Sequence, residues 1–106
     1  MKINKILLEK CCENDNNIDF YHEIADMLRI DIAEYINMIS STQNIFTIMT
    51  LVKGLRKLLH LVLPEDDEYY VACVKVNEIY ENPIFNPLGF HYYLNKIKKI
   101  DINEYI

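Results

Sequence analysis

The sequence predicts an all-α protein, a single compact bundle of five or six helices around a hydrophobic central helix. Apolar residues recur at helical spacing in several segments, and residues 44–63 are apolar on almost every side. The chain has only two glycines and three prolines, and no stretch of it has the composition of a flexible linker. We therefore expect one helical domain over residues 1–106, because a chain of this length has room for one modest core.

The predicted central helix covers residues 44–63. Its polar side chains, Lys53, Arg56, Lys57 and His60, are spaced i, i+3, i+4 and i+7, so they form one narrow stripe. Neighbouring helices should cover the rest of its circumference. The segment is long enough to cross a membrane, but each charged group would cost ~2.5–3.5 kcal/mol in hydrocarbon, so we expect no membrane association.

We also predict the roles of three leucines and one glycine on the central helix. Leu51, Leu55 and Leu58 are predicted core residues. Gly54 either weakens the helix by up to ~1 kcal/mol relative to alanine or permits the close approach of a neighbour. In the second case, Gly54→Ala destabilises the protein.

Two short helices are predicted immediately before the central one. The earlier of them covers residues 18–28 and stops near Ile30. The later one begins at Asp31, because Asp31 and Glu34 have the spacing of a capping box, and it continues to residue 39 or 40.

Proline and acidic residues place the helix that follows the central one. Pro64 is predicted at its first position, where the missing N–H has no helical partner to lose. The acidic residues 65–68 then complement the positive end of the helix dipole. Residues 71–76 also have strand propensity, but residues 69–80 keep helical spacing, so we predict a helix.

Polar residues also place the first and last helices. The first helix is predicted over residues 3–12, ending at a polar run. The last is predicted over residues 87–100, with Asn86 as its cap. Asp101 and Glu104 have the spacing of a second capping box and predict a short terminal turn.

Residues 22–41, HEIADMLRIDIAEYINMISS, span the two short predicted helices. Their apolar pattern resembles the helix-turn-helix of sigma-like and repressor-like proteins, and it consists of Ile24, Ala25, Leu28, Ile30, Ile36, Met38 and Ile39. The resemblance covers about a fifth of the chain and implies a DNA-binding transcription regulator that uses residues 31–41. It departs from the family pattern at Arg29, where the turn usually has glycine, and at Tyr35, where a small branched residue usually packs. Because residues 31–41 contain two acids and no Lys or Arg, we expect no nucleic-acid binding.

The three cysteines, Cys11, Cys12 and Cys73, favour a reducing, cytoplasmic location. Their number is odd, and the two adjacent ones are poorly placed for a mutual disulfide. Their spacing matches no zinc motif, and the sequence has no glycine-rich phosphate loop, so we predict no metal, no cofactor and no catalytic residue. A small Cys-dependent enzyme is an alternative, because a thiol and a histidine can meet in space without being close in sequence.

Two tyrosine pairs and the basic stripe are the candidate partner-binding residues. Adjacent helical residues point about a hundred degrees apart, so both rings of a pair cannot easily enter one small core. Tyrosine is also favoured at interfaces, because it buries a large area and keeps a polar tip. The candidate residues are Tyr69, Tyr70, Tyr92, Tyr93, Lys53, Arg56 and Lys57.

These observations predict a small non-enzymatic protein that acts through protein–protein contacts, as an inhibitor, adaptor or other regulator. Its partner is expected to be another protein or a second copy of itself. Ile, Lys and Asn are abundant while Ala and Gly are scarce, which is typical of an AT-rich genome and indicates a virus, a phage, a low-GC bacterium or a protist.

Overall fold

A computed structural model describes residues 3–11 and 18–106. Over these residues the protein is all-helical, which confirms the predicted fold class. The elements are α1 (Lys5–Cys11), α2 (Ile18–Ser41), α3 (Ile45–Leu59), α4 (Glu68–Glu81), α5 (Pro87–Ile97) and a 3₁₀ turn (Ile102–Glu104). The predicted first helix starts two residues later than expected, and Cys12 and the polar run after it lie outside the described residues.

Helices that follow one another in the chain pack against one another. Extensive contacts join α1 to α2, α2 to α3, α3 to α4 and α4 to α5, and the 3₁₀ turn returns to α2. The described part of the molecule has no comparably extensive contact between α2 and α5. Each of these two helices therefore keeps one flank that the bundle does not close.

The central helix is α3, which packs on both α2 and α4. Leu55 is fully buried, as predicted, whereas Leu51 and Leu58 are only half-buried. The helix ends at Leu59 rather than at residue 63, and a series of turns follows it. Hydrogen bonds between nearby residues continue as far as Leu63, whose N–H donates to the Leu59 carbonyl at 2.8 Å, and Pro64 ends this run because it has no N–H to donate.

The predicted break near Ile30 is wrong, because α2 continues from Ile18 to Ser41 without interruption. Asp31 therefore lies inside a helix and does not cap one. Leu28, Ile32 and Ile39 are all buried on one side of α2, so the apolar period stays in phase across the expected break. No proline or glycine occurs between residues 18 and 41 to stop the helix. The turn on which the helix-turn-helix resemblance depended is absent from this described segment.

The helix predicted through residues 71–76 is confirmed as α4, but its start differs from the prediction. Asp67 is the cap, and its side chain accepts hydrogen bonds from the backbone N–H groups of Tyr69 (2.8 Å) and Tyr70 (3.4 Å). Pro64 lies in the preceding turn, where its carbonyl accepts the N–H of Asp67 at 3.1 Å. A helix that started at Pro64 would have Leu63 as its cap, and a leucine side chain cannot accept hydrogen bonds from the free N–H groups of the first turn. The carboxylate of Asp67 accepts them, so the helix starts after Asp67 instead.

The predicted cap of the last helix is confirmed. Asn86 accepts the N–H of Gly89 at 3.0 Å, and Pro87 is the first residue of α5. The helix ends at Ile97 rather than at residue 100, and the bonding after it tightens to i→i+3: the N–H groups of Lys99 and Ile100 donate to residues 96 and 97. Asp101 starts the predicted terminal turn and accepts the N–H of Asn103.

Asn4 joins three distant parts of the chain through hydrogen bonds. Its side-chain amide donates to the carbonyl oxygens of Val62 (2.8 Å) and Tyr105 (3.0 Å). Its backbone N–H donates to the hydroxyl of Tyr21 at 2.8 Å, and its side-chain oxygen accepts the N–H of Leu7 at 2.9 Å. The start of α1 is therefore fixed to α2, to the segment after α3 and to the end of the chain.

Gly54 leaves room for the tip of the Tyr35 ring, which extends from α2 to α3. A Cβ atom at residue 54 would lie 2.6 Å from the Tyr35 hydroxyl oxygen and 2.8 Å from two carbons of the same ring. These separations are shorter than van der Waals contact, so the ring could not keep its position beside an alanine. The structure thus favours the second of the two roles expected for Gly54.

We expect Leu55→Ala to lower the free energy of unfolding by ~2–5 kcal/mol, because it removes a fully buried side chain from the central helix. Urea unfolding followed by circular dichroism measures this loss. The control is Lys57→Ala, an exposed position on the same helix, which should change stability by less than ~0.5 kcal/mol. Equal effects of the two substitutions would contradict the central position of α3.

We expect Gly54→Ala to destabilise the protein by ~1–3 kcal/mol, because the new methyl group displaces the Tyr35 ring. In a Tyr35→Ala background the same substitution should stabilise by up to ~1 kcal/mol, since alanine favours the helix over glycine. A double-mutant cycle of denaturant melts measures the coupling. A Gly54→Ala effect of the same size and sign in both backgrounds would show that the ring does not need the space.

Candidate protein-interaction surface

The structure brings two of the four predicted tyrosines together. Tyr69 of α4 and Tyr92 of α5 line one shallow depression of about 400 Å³. Tyr70 instead packs against the imidazole of His60, with ring centroids 5.5 Å apart. Tyr93 packs edge-on against Tyr92 at 5.0 Å and contacts the core. The four tyrosines therefore do not form one continuous patch, although Tyr92 is 63% exposed.

Charged groups surround Tyr69 in this depression. The Lys96 ammonium lies 3.7 Å from a Glu68 carboxylate oxygen and 6.0 Å from the centroid of the Tyr69 ring. Partial burial raises the pKa of Tyr69, the carboxylates of Glu68 and Glu104 raise it further, and Lys96 opposes them. Tyr69 is therefore a neutral hydroxyl at physiological pH. The charge of Lys96 is offset by its ion pair, so the remaining charge of the depression comes from Lys99, which also lines it.

The basic stripe of α3 is largely turned toward α4. Lys53 pairs with Glu81 at 3.6 Å, and the guanidinium of Arg56 is close enough to Cys73 to influence its thiol. Both basic side chains are half-buried, and of the three basic candidates only Lys57 is exposed. The acids at residues 65–68 form no ion pair with this stripe in the described structure. The three residues do not line the tyrosine depression.

An apolar groove was not predicted from the sequence. It lies between the start of α3, the α4–α5 connection and α5, and it encloses about 390 Å³. Its apolar lining consists of Ile45, Ile48, Phe85, Phe90 and Leu94. Thr42, Gln43, His91 and Lys98 complete it with polar groups. The sequence of residues 82–90, NPIFNPLGF, could have indicated this groove. It places large apolar residues in turns, which usually lie at the surface, so their side chains are expected to line an exposed apolar site.

The outward side of α5 and the loop before it are also apolar. Ile84, Leu88 and Tyr92 are 84%, 82% and 63% exposed. Leu88 and Tyr92 are spaced i, i+4, so they lie on one side of α5, and Lys98 and Lys99 follow directly after its last residue, Ile97. We use the name α5 surface for the residues Ile84, Leu88, His91, Tyr92, Lys98 and Lys99. This surface lies between the tyrosine depression and the apolar groove, because its residues contribute to both.

The α5 surface differs in charge from the rest of the chain. Residues 83–100 contain three lysines and no acidic residue, whereas the whole chain has a formal net charge of −5. Of these lysines, Lys96 is paired with Glu68. Lys98 and Lys99 therefore make one end of α5 cationic within an acidic protein.

Cys73 is poorly placed for catalysis. Cys73 is fully buried, and burial raises the pKa of its thiol to about 12 despite the opposing charge of Arg56. A thiol with this pKa is protonated at neutral pH and cannot act as a thiolate nucleophile. Cys11 is half-buried, and Cys12 lies outside the described residues.

Two findings concern residues 3–11 and 18–106 only. No group of three His, Cys, Asp or Glu residues in this part of the chain is placed to hold a metal ion. None of the described helices combines the length and the apolar character needed to cross a membrane.

Comparison of the chain with protein-family models, with curated proteins and with solved structures gave no match.

We expect the free energy of unfolding to fall as the pH rises from about 9 to about 12. The thiol of Cys73 has its pKa raised from 9.0 to about 12 in the folded protein, so the unfolded state loses its proton first. Deprotonation then favours unfolding, with a slope of up to ~1.4 kcal/mol per pH unit for one group. Urea melts at several pH values in this window measure the slope.

The control for this slope is Cys73→Ala, which removes the thiol and should make the decline with pH less steep. The remaining decline is expected from Tyr105, whose pKa is raised to about 12, mainly by burial and then by nearby acidic residues. Identical slopes for the two proteins would contradict the assignment to Cys73.

Proposed function

We propose that the protein is a small, non-enzymatic interaction or regulatory protein of the cytosol, an inhibitor or adaptor, that binds an acidic, amphipathic segment of another protein through the α5 surface. The observation that carries this proposal is the exposure of Ile84, Leu88 and Tyr92 in a segment without any acidic residue. The uneven number of cysteines supports the cytosolic location.

The first support is the amount of apolar side chain exposed in one short segment. Single exposed apolar residues are common on soluble proteins, but a concentration of large ones marks an interaction site. Ile84, Leu88 and Tyr92 lie within nine residues, and each has well over half of its surface exposed. The adjoining groove gives a partner's apolar side chain a pocket to fill, which is how interface anchors usually gain their affinity.

The second support is electrostatic. Lys98 and Lys99 lie just after the C-terminal end of α5, and neither forms an ion pair with a carboxylate of the described residues. An acidic segment would therefore be attracted to this surface, and a basic one would be repelled. A partner with apolar residues on one side and acids beside them satisfies both the groove and the lysines.

A protein partner fits this surface better than a nucleic acid does. Nucleic-acid binding draws its affinity from many neutralised phosphates, and proteins that bind this way usually carry a strongly basic face. The α5 surface offers two lysines and His91 beside exposed Ile84 and Leu88. Aliphatic side chains of this kind gain little from a phosphate backbone.

We expect a peptide-display selection on the folded protein to enrich sequences with apolar residues at helical spacing and adjacent Asp or Glu. A chosen peptide should bind Leu88→Asp at least about tenfold more weakly than wild type, because the substitution places a charge among the apolar contacts. Isothermal titration measures both affinities. Higher salt should also weaken binding, because part of the attraction is between charges.

The matched control is Ile30→Asp on α2, which places the same charge at a similarly exposed apolar position outside the α5 surface. It should leave peptide affinity unchanged. A selection that enriches no acidic amphipathic sequence would refute the proposal. Peptides that bind Leu88→Asp as tightly as wild type would show that the binding site lies elsewhere.

A further inference from the structure

A second exposed apolar stripe lies on the outward side of α2. Met27, Ile30 and Met38 are 57%, 60% and 45% exposed. Glu23 and Glu34 are exposed beside them. From Glu23 these positions follow at i+4, i+7, i+11 and i+15, so all five lie on one side of the helix. We use the name α2 stripe for these five residues.

The α2 stripe is the chemical complement of the α5 surface. Both present large apolar side chains, but the charged residues of the α2 stripe are carboxylates, whereas those of the α5 surface are lysines. The one Lys or Arg residue of α2 is Arg29, and it is paired with Asp26. Methionine side chains adapt to differently shaped partners, which suits Met27 and Met38 to packing beside an aromatic ring.

The charges on the two surfaces are spaced differently. Lys98 and Lys99 are adjacent and lie just past the end of α5 at Ile97, whereas Glu23 and Glu34 are eleven residues apart on α2, about 16 Å at 1.5 Å per residue. The lysine pair can therefore lie opposite either Glu23 or Glu34. In both arrangements Leu88 and Tyr92 extend toward Met27 and Ile30, which lie between the two carboxylates.

Within one copy neither surface covers the other, because α2 and α5 have no extensive contact in the described structure. We propose that copies of the protein associate head to tail, with the α5 surface of one copy docked on the α2 stripe of the next. The contact joins two different surfaces, so it either closes into a ring or continues into a chain of copies. This inference rests on the proposed function, since it names an occupant for the same α5 surface.

The test is a charge exchange followed by analytical ultracentrifugation. The wild-type protein should form larger species as its concentration rises from micromolar to millimolar, and high salt should reduce them. Lys98→Glu with Lys99→Glu should abolish this association, and so should Glu23→Lys with Glu34→Lys. An equimolar mixture of the two double variants should associate again, because each restores an oppositely charged pair for the other.

Controls matched in net charge separate the contact from a general effect of charge. Lys5→Glu with Lys75→Glu, and Glu65→Lys with Asp66→Lys, change exposed residues elsewhere and should associate like wild type. Circular dichroism melts confirm that every variant is folded. A wild-type protein that stays monomeric overturns the inference, and so does a mixture of the two reversed variants that fails to associate.

The two proposals fail separately. If wild type stays monomeric but selected peptides still require Leu88, the α5 surface binds a foreign partner only. If peptide selection fails while the charge exchange restores association, the second copy is the occupant and the adaptor role is wrong. Ile30→Asp gives a further distinction, because it should impair self-association and spare peptide binding.

Discussion

The packing of α3 against α2 on one side and against α4 on another is the constraint on which the rest of the bundle depends. The missing side chain at residue 54 leaves room for the ring of Tyr35, and both helices then bury apolar faces along a common line. α3 uses another side for α4, and α4 in turn supports α5. Because packing proceeds in chain order, α2 and α5 each retain an outer flank, and these flanks carry the exposed apolar residues of the two proposed surfaces.

The sequence predicted the helices best where a local signal and the apolar period agreed. Asn86 before Pro87 marked the start of α5. An asparagine side chain accepts a free N–H of the first helical turn, and a proline fits the first position because no N–H is needed there. At Asp31 the two signals disagreed. A capping-box spacing indicated a helix start, but Leu28 and Ile32 kept the same buried side, and tertiary packing decided the outcome. Local caps are worth about 1 kcal/mol, which is less than the burial of two aliphatic side chains.

The candidate site was harder to predict because its parts are distant in sequence. The pairing of Tyr69 with Tyr92 depends on how α4 packs against α5, and the apolar groove depends on where the start of α3 lies. Helical spacing identifies the exposed side of one helix, as it does for Leu88 and Tyr92. It does not reveal which second helix completes a groove. The basic stripe illustrates this limit, since Lys53 has a regular position on α3 but meets Glu81 of α4.

The hydrogen bonds of Asn4 bear on the order in which the chain folds. Its partners lie 17, 58 and 101 residues away, so they leave the ribosome at very different times. Contacts between consecutive helices are short in sequence and can form while synthesis continues. The bond to Tyr105 has to wait until almost all of the described chain has emerged. α1 can therefore pack against α2 early, whereas the side-chain amide of Asn4 completes its hydrogen bonds late, and until then water must satisfy it.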